Sequence, residues 1–188
     1  MKNAFFLTLF WIAISANAVE IKGNVSDETG KPVAHSPVFL VMKRVVFNIR
    51  SLKYEEVESK TVATETDAHG LYMASVDIDH YFNRFYLYFH GKGFDFAQFL
   101  RPEPEDITRQ VQKGTEIVVN RVLKTNPLWS DLQIVLKALD HESERYKILR
   151  KYGFPERREQ RQDGSEKWYY FDLDKEFLVG APAKENTN

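Results

Sequence analysis

Hydrophobic positions change their rhythm three times along this chain. An unbroken apolar run opens it, short alternating stretches follow, and a helical stripe then gives way to alternation again. The run from Ala4 to Ile14 has Thr8 as its one polar member, follows Lys2, and precedes the small-x-small triplet Ala16-Asn17-Ala18. A positive start, an apolar stretch of this length and such a triplet predict a cleavable secretory signal over residues 1–18, cut between Ala18 and Val19. The run falls short of the roughly 20 apolar residues of a spanning helix, and a polar, alternating segment follows at once.

From Val19 to about residue 124 the pattern predicts short strands separated by turns. Val19, Ile21 and Val25 alternate before the turn residues Ser26 to Gly30, and Val38 to Phe47 is long and rich in β-branched residues. Thr61 to Thr64 leads into Asp67-Ala68-His69-Gly70, which reads as a hairpin turn with Gly where positive φ is cheap. Leu71–Val76, Arg84–Phe89, Phe94–Leu100 and Thr115–Leu123 complete about seven strands, a rhythm that favours an antiparallel sandwich over a parallel sheet.

Asn126-Pro127 then reads as a helix start, with Asn as cap and Pro at the first helical position. Leu128, Leu132, Val135, Leu136, Leu139, Tyr146 and Leu149 recur at helical spacing. The stripe thins at Asp140 to Ser143, which leaves one long helix or two shorter ones open. Gly153 and Pro155 end it. Arg157–Gln162, Asp163-Gly164 and Ser165–Leu173 predict a β-hairpin around a type I′ turn, and Phe177 to Val179 suggests a third strand. The expected organisation is a signal (1–18), a β-sandwich (19–124), a helix-plus-hairpin unit (125–180) and a polar, frayed tail (181–188).

The 188-residue chain is long enough for one good core or two small ones. It has no cysteine, which removes disulfides and a lipid-bearing amino terminus. For an exported domain of this size, that lack points to a bacterial periplasm. A net charge of −1 without a basic stripe argues against a nucleic-acid partner. After signal cleavage no second apolar run approaches membrane-spanning length.

Two stretches resemble known families. Ile21-Lys22-Gly23-Asn24-Val25, Asp27, Gly30-Lys31-Pro32-Val33, Val38-Phe39-Leu40 and Thr64 to Tyr72 resemble the carboxypeptidase regulatory-like domain. The resemblance implies a transthyretin-like antiparallel β-sandwich, in a family of structural or binding modules attached to something else. It departs after Phe47, where Asn48–Lys60 is longer and more charged than the usual connection. Tyr146 to Pro155, with Asp163-Gly164 and Trp168-Tyr169-Tyr170, is similar to the core of SmpA/OmlA-type domains. That family includes a small lipoprotein of the outer-membrane β-barrel assembly machinery. This likeness implies only the packing of a helix on an antiparallel hairpin, since the lipid-anchor cysteine is missing. The fold class expected from the whole is therefore mainly β, a sandwich followed by a small α+β unit.

Residues that could carry chemistry are few. No H-E-x-x-H or G-x-S-x-G pattern occurs. His69 falls in the predicted turn, His35 in a loop near Pro37, and His141 in the helical stretch. Asp77, Asp79 and His80, with His90 across a possible hairpin, form the one cluster that could meet a cation, if Asp77 and Asp79 share a strand face. The plainer reading, solvated residues at strand ends, is preferred, and no metal or cofactor is expected. Glu103 and Glu105 in a Pro-spaced acidic loop could be imagined as acid and base, but a stiff hydrated connection is simpler. The transthyretin-like fold includes a hydrolase of purine catabolism, whose carboxy-terminal motif is absent here. Glu156 to Arg161 reads as the exposed face of the hairpin.

The aromatic residues Tyr81, Phe82, Phe85, Tyr86, Tyr88, Phe89, Phe94, Phe96 and Phe99 crowd two predicted strands. One face fills a core; the other needs cover, either from the carboxy-terminal helix, which is favoured, or from a partner docking on Tyr86 and Tyr88. The expected function is an exported, non-enzymatic binding or scaffolding protein of the cell envelope, with an envelope protein as partner. The rivals are a periplasmic hydrolase or its accessory subunit, with a site near Asp77, Asp79 and His80, and a periplasmic inhibitor or immunity protein.

Overall fold

Val19, Ile21 and Val25 turn inward along β1 (Ala18–Asp27), as their alternation requires. The computed structural model describes residues 18–114 and 116–180. The expected signal segment up to residue 17 and the expected tail from residue 181 lie outside the described residues. After β1 come β2 (Pro37–Asn48), β3 (Lys53–Glu65), β4 (Leu71–Asp77), β5 (Arg84–Tyr88) and β6 (Glu105–Asp106). A short helix α1 (Thr108–Lys113) and the strands β7 (Ile117–Val118) and β8 (Arg121–Leu123) complete the first unit.

These strands form two sheets. In one, β1 pairs antiparallel with β4 and parallel with both β7 and β8. The other has the order β3-β2-β5-β6, antiparallel throughout. Ile21, Tyr72, Val76 and Ile117 from the first sheet meet Val38, Leu40, Met42, Phe85 and Leu87 from the second in one core, which Ile107 and Val111 extend. Each inner face alternates buried with less buried positions, as a sandwich demands.

Two close approaches shape this core. A Cβ on Gly23 would overlap the Val119 carbonyl, so glycine there lets the link between β7 and β8 press close against β1. Tyr72 donates its hydroxyl to the same carbonyl at 2.8 Å. The predicted strand Thr115–Leu123 is thereby split in two, and the Asn24 amide turns to Asn120 Oδ1 at 3.0 Å in place of a strand partner.

Three further expectations are corrected. Asp67 to Gly70 is not a hairpin turn: β3 belongs to one sheet and β4 to the other, so the turn carries the chain between layers. Asp67 Oδ1 accepts from the amides of His69 and Leu71, and Gly70 adopts φ 73. Phe94–Leu100 is not a strand, because Asp95 takes the Gln98 amide on its carboxylate and the Phe99 amide on its carbonyl, closing a turn. Asn48–Lys60 is not a connecting loop; most of it is the outer half of β3.

The second unit holds α2 (Trp129–Ala138), α3 (Glu144–Tyr152), β9 (Arg157–Gln160), β10 (Glu166–Tyr170) and β11 (Lys175–Val179). Asn126 does not cap α2 directly. Its side chain takes the Leu128 amide and the helix begins at Trp129. Two helices form, and Ser143 starts the second by accepting the Tyr146 amide on Oγ at 3.1 Å. Gly153 ends α3 at φ 79, and Tyr170 donates its hydroxyl to the Gly153 carbonyl at 2.8 Å. The β9–β10 turn is not type I′. Gly164 alone has positive φ, its amide donates to the Arg161 carbonyl, and Arg161 returns to Ser165, the signature of a type I turn with a bulge. Leu132, Leu136, Ile148, Leu149, Trp168, Tyr170 and Val179 form the second core, into which Ala97 of the first unit inserts. The protein is mainly β, a sandwich followed by a small α+β unit. Among the described residues no helix is long and apolar enough to cross a membrane.

Candidate interaction face

The inner residues of β2 are the even-numbered ones from Val38 to Met42, so its odd-numbered residues face outward. Register places Phe39 opposite Tyr88, Val41 opposite Tyr86, and Lys43 opposite Arg84. Tyr86 and Tyr88 therefore stand on the outer face beside Phe39 and Val41, all four half-buried. The α2–α3 pair does not cover this face, contrary to expectation. Its apolar stripe is buried against β10 and β11 instead.

Beyond Lys43 the sheet narrows to two strands. β5 pairs with β2 no further, and Asn83 takes over its role, accepting from the Val45 amide at 2.9 Å and donating to the Val45 carbonyl at 2.8 Å. Arg44 anchors the same point by donating to the Tyr81 carbonyl and lying 5.2 Å over the Tyr81 ring. From Val46 to Val57 the chain is a projecting ribbon. Its tip is tied: Asn48 Oδ1 accepts from the Arg50 amide, and Glu55 accepts from Asn48 Nδ2 and Ser51 Oγ. Those two bonds hold the Glu55 carboxyl below its usual range, Asn48 being the larger cause.

This arm is apolar where a solvated ribbon should be polar. Phe47, Ile49, Leu52, Tyr54 and Val57 are all exposed, Ile49 and Leu52 by 79% and 72%. Phe47 and Tyr54 are cross-strand partners on the outer face, so Phe39, Val41, Val45 and Phe47 run along β2 as one stripe interrupted by Lys43. Lys43 pairs with Glu56 at 2.7 Å. Exposed apolar side chains on a ribbon hydrogen-bonded at its base and tip make this arm a candidate for contact with another molecule.

The candidate cluster of Asp77, Asp79, His80 and His90 does not assemble. β4 ends at Asp77, so Asp79 lies in a turn, where its Oδ1 accepts from the Tyr81 amide at 2.8 Å. His80 is exposed, and His90 is buried elsewhere, its Nε2 accepting from Arg101 Nε at 3.0 Å. Among the described residues no three acidic or histidine side chains are placed to hold a metal ion. Glu105 is engaged by Arg121 at 2.8 Å while Glu103 faces solvent. His69 is exposed in its turn, His35 lies 3.6 Å from Glu65, and His141 stacks on Tyr146 with ring centroids 4.5 Å apart. Glu156 to Arg161 is mostly exposed, though Arg158 lies 5.2 Å over the buried Trp168 ring.

The outward placement of Tyr86 and Tyr88 follows from alternation along β5. The arm gives no such signal, because its charges at Lys53, Glu55, Glu56 and Glu58 mask the apolar residues between them. Neither a comparison with protein-family models nor one with curated proteins finds a match to this chain.

Proposed function

We propose that this is an exported, non-enzymatic binding protein of the bacterial cell envelope that engages a protein partner through the β2–β3 arm and the adjoining outer face. One observation carries the reading. Phe47, Ile49, Leu52, Tyr54 and Val57 are held exposed on a ribbon whose base and tip are both fixed by hydrogen bonds. Preorganised apolar side chains lose little freedom on binding, so their burial is available as affinity. The resemblance of residues 21–72 to carboxypeptidase regulatory-like domains supports the same reading, because those domains are binding or structural modules. The amino-terminal pattern supports export.

The test is in vivo photocrosslinking from position 52, with envelope fractions compared between the native protein and a Phe47→Ser/Tyr54→Ser variant. A discrete crosslinked protein that disappears in the variant, and persists in a Met73→Ser control on the opposite sheet, is the expected result. No discrete product, or one indifferent to the arm substitutions, overturns the proposal. Amino-terminal sequencing of the exported chain should begin at Val19.

A further inference from the structure

A concavity separate from the arm opens where the loop Gly91–Phe96 of the sandwich faces the end of α3 and the Asp172–Lys175 turn. Its volume is about 870 Å³, enough for a small organic molecule, and it lies between two packed units, where such sites concentrate. Phe94, Phe96 and Tyr152 supply apolar wall. The charge around it is unbalanced. Lys92, Arg101, Arg150, Lys151 and Lys175 line the cleft against Asp95, Asp172 and Asp174. Asp95 is taken by Arg150 at 2.8 Å. Among the described residues, the other four cations form no ion pair, although Lys22, Lys43, Lys147 and Lys167 each find a carboxylate on other parts of the surface.

Two details point to an occupant. Lys151 and Lys175 both bring their ammonium groups to the Tyr152 ring, at 5.2 and 5.9 Å from its centre, which concentrates positive charge on one wall. Arg101 is fixed from behind: Nε donates to His90 Nε2 and Nη1 donates to the Asp172 carbonyl at 3.1 Å. Its Nη2 edge keeps its donors, and the residue is exposed. A guanidinium oriented by neutral acceptors and left without a carboxylate is set to receive one, or a phosphate, on that edge.

We infer that this cleft binds a small organic anion, a carboxylate or phosphate carried on a flat apolar body. Arg101 fixes the anionic group, Lys151 and Lys175 supply the field, and Phe94, Phe96 and Tyr152 hold the body. His90 is a positioning residue: it is nine-tenths buried and aligns Arg101. The ligand would touch both units and so tie the sandwich to the α+β unit.

The experiment titrates the ¹⁵N-labelled protein, at constant ionic strength, with phenyl phosphate, benzoate, inorganic phosphate and benzylamine. Saturable amide shifts confined to Gly91–Phe96 and Asp172–Lys175 are expected with phenyl phosphate or benzoate, and the tighter of the two names the anionic group. Benzylamine should produce none. Arg101→Gln should weaken binding at least tenfold and Lys60→Gln, on exposed β3, should leave it unchanged. If Arg101→Gln loses its native spectrum, the exposed pair Lys151→Gln/Lys175→Gln carries the same test. No saturable shift, affinity unaltered in these variants, or inorganic phosphate binding as tightly as phenyl phosphate each overturns the inference.

Discussion

Arg101 Nε lies 3.0 Å from His90 Nε2, and because a guanidinium only donates, that imidazole nitrogen must carry the lone pair. The proton then sits on Nδ1, which is buried without a hydrogen-bond partner. Burial is the main force holding the His90 pKa below its usual range, the Arg101 charge adds to it, and Glu103 opposes both. Since the folded value is the lower one, the unfolded chain takes up a proton that the folded protein refuses as pH falls below about 6.5. Stability is therefore fully expressed above that point and declines as pH drops through the window beneath it. Urea midpoints at pH 7.5 and 5.5 should differ more in the native protein than in His90→Asn. An equal difference would show that carboxylates alone carry the pH response.

Gly23→Ala should destabilise the sandwich by at least about 1–3 kcal/mol, the usual cost of forcing atoms into a filled space. The obstacle is the Val119 backbone, which cannot rotate aside as a side chain could. Chemical denaturation checks this, and a change below about 0.5 kcal/mol, the scale of ordinary surface substitutions, would mean the β7–β8 link relaxes freely.

The arm and the core should respond differently to truncation. Phe47→Ser and Tyr54→Ser remove one cross-strand aromatic pair, whose ring centroids lie 5.3 Å apart, and should cost less than about 1 kcal/mol together. Phe85→Ala empties a fully buried site and should cost about 3–5 kcal/mol. Calorimetry separates the two. Comparable losses would make the arm part of the folded body and not a projection from it.

Ser143→Ala removes the side-chain acceptor of the Tyr146 amide and should cost about 1 kcal/mol. Hydrogen exchange should show the first turn of α3 losing protection while α2 keeps it.

How much of this was legible depended on whether a residue's role was written in its own neighbourhood. The two turns at Asp27 and Asp67 could be read directly, because a carboxylate that caps its own turn and a glycine three residues later are local signals. The outward placement of Tyr86 and Tyr88 followed from alternation on a strand with one buried face. The outer half of β3 gave no such signal, because every residue from Lys53 to Thr61 is exposed and no face is selected for apolarity. Asp77 and Asp79 were spaced to share a face only if β4 continued, and it stops at the first of them. Phe94 and Phe96 imitated a strand in which Asp95 had already turned the backbone aside. α1 escaped notice because six residues with two buried positions fall below the span that reveals a helical period. The His90–Arg101 pair joins positions eleven apart through irregular backbone, where no spacing rule applies.

The placement of β1 also sets the order in which the protein can be completed. Its first partner, β4, lies some fifty residues further along the chain, and its last, β8, pairs Asp27 with Leu123. The central strand thus stays open on one side until most of the polypeptide has been made. Closing so large a loop before any pairing is gained makes folding slow, and it leaves a hydrogen-bonding edge uncovered for the whole interval. The α+β unit, whose strands and helices are neighbours in sequence, has no comparable delay. An emerging chain would therefore reach the ribosome's exit with its oldest strand still waiting for one of its youngest.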